Sequence, residues 1–386
     1  MPVGDLQREL ALRFGRRAEL AARAPGRVNL IGEHTDYNEG LVLPCALDCD
    51  ARVVAARRDD ARFRVLACDL GEVAEFVAGD SARGHGWSEY LRGVVFALRE
   101  RGHRIVGLDA VVASTVPRGS GLSSSAALEV AFVTALDLAA GLGLDGLTRA
   151  RLAHRAESGF VGVACGLMDQ LASALGRAGC ALRIDCRSLE ITPVSIPAEA
   201  RLLVADSGVR RELAAGAYNE RRAECERALA GARNARVATP DATALRDLSP
   251  ADLPALERVL DPTAFRRARH VLTENERVER TCAALRGGDL TEAGRLLREG
   301  MASLRRDFEV SVPELDALCE IGDALPGVFG SRLTGAGFGG CTVHLVQAAA
   351  AKQAAKALSD GFAARFGRRI SVLEATPSEG AGPLPT

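Results

Sequence analysis

Residues 116–131 read VPRGSGLSSSAALEVA, a stretch that changes character halfway and decides how the chain around it folds. Before it, GLDAVVASTV has the apolar, β-branched composition of a strand that stops at Pro117. After it, apolar residues recur at helical spacing from about Ser123 to Leu142. Gly119 and Gly121 let the backbone curl as strand gives way to helix, and Ser123, Ser124 and Ser125 open the helix with its first N–H groups exposed. Such groups favour an anion, so the turn reads either as a phosphate cradle without a lysine or as a Ser-capped helix start.

Outward from this turn the pattern alternates. ARVVAA and RFRVLA read as earlier strands, and LTRARLAHRAESGF resumes helical periodicity. CALRID, LEITPVSI and RLLVAD return to strand pattern near residues 180–206, and the chain is then mostly helical from Tyr218 to about Leu325, with turn signals at ATPDAT, LSPAD and RGGDL. FGSRLT, a glycine loop, CTVHLV, an Ala-rich helix and ISVLEAT close it. A chain of 386 residues exceeds the size at which single cores tend to split. The expected class is α+β in two domains, residues 1–198 and 199–386, with no internal repeat and a loose tail after Pro377.

Composition narrows the function. The net charge of −1 gives no reason for a nucleic-acid partner. Arginine supplies nearly all the positive charge, the only lysines being Lys352 and Lys356. A Walker-type phosphate loop, a protein kinase and a Schiff-base enzyme each need a placed lysine, so all three are disfavoured. The ten cysteines are scattered without a CxxC, and the N-terminus lacks the plan of a signal peptide, which points to reduced thiols in the cytoplasm. The apolar run AALEVAFVTALDLAAGLGL from Ala126 is nearly long enough to span a bilayer, but Glu129 and Asp137 would each cost roughly 2.5–3.5 kcal/mol at mid-membrane. It reads as a buried helix, and no membrane partner is expected.

Two further stretches carry chemistry. In LTGAGFGGCTVHL, Gly335, Gly337 and Gly340 meet the GxGxxG spacing, with Asp360 twenty residues on. A dinucleotide fingerprint opens into a helix, whereas CTVHLV continues as a strand, so a wall where backbone approaches a ligand or another chain segment is the better account. In RAESGFVGVACGLMDQLASALG, Glu157 ends an amphipathic helix and Asp169 sits between Gly166, Leu167, Met168 and an apolar helix start. Asp169 reads equally as a general base toward a hydroxyl or as a helix cap.

With PGRVNLIGEHTDYNEGLVLP from Pro25, CGLMDQ and YNERRAEC, these stretches resemble the GHMP superfamily of small-molecule kinases, and within it the galactokinase family. The resemblance spans about Ala24 to Gly380; the run GEHTDYN is its most specific part, while the glycine loops are shared with mevalonate and homoserine kinases. It implies an N-terminal domain like ribosomal protein S5 domain 2, a ferredoxin-like C-terminal domain and an active site between them. It also implies ATP-dependent phosphorylation of the C1 hydroxyl of α-D-galactose, the first step of galactose breakdown. On matching positions, Glu33, His34, Asp36, Gly166 and Tyr218 would bind the sugar, Asp169 would take the hydroxyl proton and Arg27 would lie beside it. Gly119, Gly121, Ser123, Ser124 and Ser125 would hold ATP phosphates, Trp87 in WSEYLRG would line the adenine pocket or anchor the core, and Mg2+ would sit near Glu157 and Ser125 rather than Ser124. Arg118 departs from the small or apolar residue frequent in relatives; it either adds charge near the nucleotide or faces water.

The expected partners are the small-molecule substrates galactose and ATP, and the expected state is a monomer or weak homo-oligomer. Two alternatives stand beside this reading: a related kinase shifted to N-acetylgalactosamine or another sugar, and a non-catalytic sugar sensor. The sensor would be marked by loss of the loop serines or of the base, and here Asp169, Arg27 and the serines are all present.

Overall fold

The computed structural model describes residues 1–80, 84–163, 165–210 and 214–386. A six-stranded sheet runs in the order Gly382–Pro383, Leu20–Asn29, Pro44–Arg58, Gly107–Ser114, Arg62–Ala67, Glu72–Val77. Neighbours are antiparallel except Arg62–Ala67, which lies parallel to Gly107–Ser114. The central strand Pro44–Arg58 is buried almost without alternation because both its faces are covered. Val54 and Ala56 face the helix Val3–Phe14, which seats Leu6 and Leu10 on the sheet; each contributes roughly 1.5–3 kcal/mol by burial. Val53 and Ala55 face the opposite core with Phe63, Val130 and Val133.

The helix Ser124–Ala140 is the apolar run seen in the sequence. It lies against Leu20–Asn29 and Pro44–Arg58 and is flanked by the helices Ser88–Glu100, Gly146–Arg155 and Met168–Leu175, which accounts for burial all round. Asp137 is accommodated by Arg149 at 2.7 Å. Among the described residues no helix is long and apolar enough to cross a membrane.

The second half builds a four-stranded antiparallel sheet in the order Val328–Thr334, Cys341–Gln347, Ala200–Asp206, Val372–Ala375. Numbered along the chain this is 2-3-1-4, the ferredoxin-like order. Leu318 and Phe362, from the helices Pro313–Asp323 and Ala351–Phe366, pack on Ala205. From the other face Leu202, Val204, Val343 and Leu345 join the same apolar cluster as the N-terminal sheet, so one continuous core crosses between the halves.

The tail departs from expectation. Beyond Pro377 it is stitched to the N-terminal half: Ser378 N–H donates to Ala46, Gly380 N–H to Gly176 and Leu384 N–H to Ala21, while Gly382–Pro383 pairs with Leu20–Asn29. The open edge of that strand offers unpaired backbone groups, and the tail satisfies them.

Candidate active site

Two features bring Arg27 to Asp169. The strand Leu20–Asn29 shifts register between Pro25 and Arg27, which re-aims the side chain, and Gly26 lets the strand approach the serine-rich loop closely. A Cβ on Gly26 would lie 2.8 Å from the Leu122 carbonyl oxygen. Arg27 is buried and donates Nε to Asp169 Oδ1 at 2.8 Å, Nη2 to Asp169 Oδ2 at 2.6 Å and Nη1 to the Gly121 carbonyl at 2.6 Å. Ser123 holds a left-handed backbone, φ 59°, a conformation that costs an L-residue roughly 1–2 kcal/mol, and its hydroxyl donates to Asp169 Oδ2. Bond and strain together place this serine on the carboxylate.

The polar residues after Ile31 form a compact loop. Gly32, at φ 100°, lies where a Cβ would meet the Leu41 carbonyl at 2.5 Å, and Thr35 Oγ1 reaches the carbonyls of Gly32 and Leu41. His34 Nε2 donates to the Ala336 carbonyl at 3.1 Å, so in the neutral ring Nδ1 accepts from the Tyr37 hydroxyl at 2.9 Å. The imidazole is surrounded by the rings of Tyr37, Tyr218 and Phe308. Glu33 pairs with the fully buried Arg332 and accepts from Gly335 N–H; Arg332 is shared with Glu274 at 2.8 Å, which Arg277 also engages. Burial pushes Glu33 up to about 7 against the pull of Arg332, with the neighbouring Glu274 adding to the rise. Asp36 is pushed up to about 6, first by burial. Its Oδ2 stands 1.8 Å from where a Cβ on Gly166 would be, so only glycine fits there.

These groups converge. A cavity of about 340 Å³ is lined by Arg27, Glu33, His34, Asp36, Glu157, Gly166, Asp169 and Tyr218, each singled out in the sequence, by Gly335 of the second glycine loop, and also by Cys165, Asn219 and Ala336, which were not. Next to it, a cavity of about 190 Å³ is lined by Trp87, Ser124, Ser125, Leu70 and Leu128. Ser125 lines the smaller cavity and lies near Glu157, which lines the larger one. Trp87 is half-buried and its indole N–H donates to Glu72 at 2.9 Å. Arg118 is exposed at the rim of the smaller cavity, 3.4 Å from the Asp69 carbonyl. Gly119 and Gly121 line neither cavity; they hold the loop at φ 69° and 84°.

Glu157 lies in a π-helical turn, Ala156–Val161, that continues the helix Gly146–Arg155. Burial raises it above the usual carboxylate range, opposed by the nearby Ser125 hydroxyl and reinforced by the charge of Asp169. Sequence reasoning missed the groups behind the cavity: Arg332, Glu274 and Gln170, whose Nε2 donates to Glu157 at 2.6 Å. A lone arginine inside the strand pattern FGSRLT was the one available signal for Arg332.

The serine-rich helix start, the paired Arg27 and Asp169 and the second glycine loop, set between two such halves, are the parts of a GHMP small-molecule kinase, a phosphotransferase. The GHMP kinases N terminal domain matches residues 89–177 and the GHMP kinases C terminal domain residues 282–364, while a galactokinase galactose-binding signature matches residues 10–57. The chain is 44% identical to the galactokinase of Roseiflexus sp. (strain RS-1), covering 99% of this chain and 97% of that one. It is 47% identical to the galactokinase of Chloroflexus aurantiacus, covering 95% and 94%. The crystal structure of Lactococcus lactis galactokinase complexed with galactose superposes with a TM-score of 0.94 at 33% identity, over 99% of this chain and 100% of that one. The chain belongs to the galactokinase family.

Proposed function

We propose that the protein transfers the γ-phosphoryl group of ATP to the C1 hydroxyl of α-D-galactose, giving α-D-galactose 1-phosphate and ADP. The observation that carries this reading is Asp169, a carboxylate clamped by Arg27 and Ser123 where the larger cavity meets the start of the helix Ser124–Ala140. The hexose occupies the larger cavity, with Glu33, His34, Asp36, Tyr218 and the Gly166 backbone facing its hydroxyls. Glu33 is held from behind by Arg332 and Gly335, and His34 by Ala336 and Tyr37, so a wrong epimer leaves a buried group unpaired. Asp169 Oδ2 accepts from both Arg27 and Ser123, whereas Oδ1 accepts from Arg27 Nε alone. Oδ1 keeps the open lone pair and takes the hydroxyl proton. Arg27, bridging that carboxylate and the Gly121 carbonyl, offsets the negative charge of the transferring phosphoryl group. The smaller cavity holds adenine against Trp87, and the backbone N–H groups from Gly119 to Ser124 hold the phosphates.

Ser125 and Glu157 would hold magnesium. Both are oxygen donors, Ser125 being close enough to Glu157 to pull down its pKa, and two protein ligands suit an ion that keeps waters and phosphate oxygens for the rest of its shell. A cation there also offsets the burial of the Glu157 carboxylate and the neighbouring charge of Asp169, the two influences that raise it above its usual range. When bound it neutralises charge on the phosphates. The domain boundary is placed at 198/199, ahead of the strand Ala200–Asp206, and ten free thiols fit a reducing cytoplasm.

A coupled ADP-release assay across galactose, N-acetylgalactosamine, glucose, mevalonate and homoserine tests the reading. Galactose should be turned over far faster than the others; a preference for mevalonate or homoserine sinks it.

A further inference from the structure

The helix Ser124–Ala140 carries a buried acid, Glu129, that the reaction does not use. It lies one helical turn beyond Ser125 and meets Gln170, the residue that follows Asp169. Gln170 Nε2 donates to Glu157 Oε2 at 2.6 Å and stands 3.4 Å from Glu129 Oε2. Gln170 is itself fully buried. Among the described residues, Glu129 Oε1 and Gln170 Oε1 are buried with no hydrogen-bond partner.

A buried polar atom left unsatisfied costs roughly 1–3 kcal/mol, and apolar residues of similar shape would fill this space without that penalty. Packing therefore does not call for a Gln on a Glu here. What the pair does is orient Glu157: Gln170 and the Cys165 thiol, at 3.7 Å, both engage Oε2, and Oε1 is left clear of them. We propose that Gln170, braced by Glu129, is a positioning residue that orients the Glu157 carboxylate toward the metal of the bound nucleotide. This rests on the reading of Ser125 and Glu157 as the metal's protein ligands. Partners behind a metal ligand are typically worth about 10–100-fold in metal affinity or activity.

The test is ADP binding to the full-length protein by calorimetry, with and without Mg2+, the ratio of the two affinities measuring the metal's contribution. Gln170→Leu should reduce that ratio about tenfold while leaving metal-free ADP affinity and galactose affinity unchanged. Glu129→Leu should reduce it in the same direction by less, and it decides the question if Gln170→Leu does not fold. Glu129→Gln, which keeps an acceptor for Gln170, should restore the parent ratio. A parent ratio well above one that both leucine variants leave intact overturns the proposal alone. A parent ratio of one takes down the metal assignment on which it rests.

Discussion

The glycine loop at 119–123 and the one at 335–340 are alike in composition, yet their glycines meet different surroundings. A Cβ on Gly119 would touch nothing closer than Arg210 Cδ at 3.6 Å; only its φ of 69° favours glycine. A Cβ on Gly337 would strike the Val310 carbonyl at 2.3 Å, and one on Gly339 the Val209 carbonyl at 2.6 Å. The first loop spends Gly119 on conformation, and its Gly121 and Leu122 carbonyls are taken by Arg27. In the second, backbone packs on backbone: Phe338 N–H donates to Val310 and Gly340 N–H to Val209, while Thr334 is bonded to Asn29. Their reach into the cavity differs accordingly. The first touches Asp169, the proposed base, through Ser123, whereas the second supports the proposed sugar side through Gly335 N–H on Glu33 and the Ala336 carbonyl on His34. On the proposed function, one loop belongs to the chemistry and the other to the scaffold of recognition.

The largest effect expected from this contrast is at the chemical end. Asp169→Asn should lower kcat by about 10²–10⁴-fold with galactose and ATP affinities nearly intact, measured by steady-state kinetics and calorimetry. Substantial residual turnover would remove Asp169 as the base. Next comes the scaffold. Gly337→Ala combines a close backbone contact with an unfavourable φ and should destabilise the fold by about 3 kcal/mol in urea unfolding. Gly119→Ala should lose no more than about 1–2 kcal/mol and act instead on ATP KM. Equal losses from the two glycines would erase the distinction.

On the recognition side, Asp36→Ala should raise galactose KM about tenfold to a hundredfold, the range expected for a lost hydrogen bond to a charged group. Unchanged kinetics would take Asp36 out of the sugar site. The smallest effect is in pH. Because Asp36 is raised to about 6, it takes up a proton as pH falls through 6 and loses acceptor charge. Galactose affinity should accordingly be at least about tenfold weaker at pH 5 than at pH 7, a fall that Asp36→Asn should reduce, leaving the part set by Glu33, which is pushed up to about 7. A flat profile in the parent protein would show that Asp36 is not the group that titrates there.

Much of this was legible before any coordinates. Every residue expected to touch sugar or base lies on one cavity, and the helix 124–140 and the strand after the second glycine loop formed where periodicity placed them. Ser123 was expected among the phosphates, yet its hydroxyl turns to Asp169, a direction set by a left-handed φ. The tail was expected to be loose, because nothing in SEGAGPLPT announces a strand; its order comes from a sheet edge more than 350 residues earlier in the chain.

The sequence by itself determined the local pieces: strand, curled serine turn, buried helix, polar loop after Ile31, and the absence of a phosphate-loop lysine. Those follow from periodicity, backbone freedom and composition, all properties of neighbouring residues. Only the tertiary structure decided the pairings. Arg27 and Asp169 are 142 residues apart and Glu33 and Arg332 are 299 apart, and their bonds depend on a register shift and on a core shared between two sheets. Buried charges must find partners wherever the fold brings them, and no local pattern names which ones.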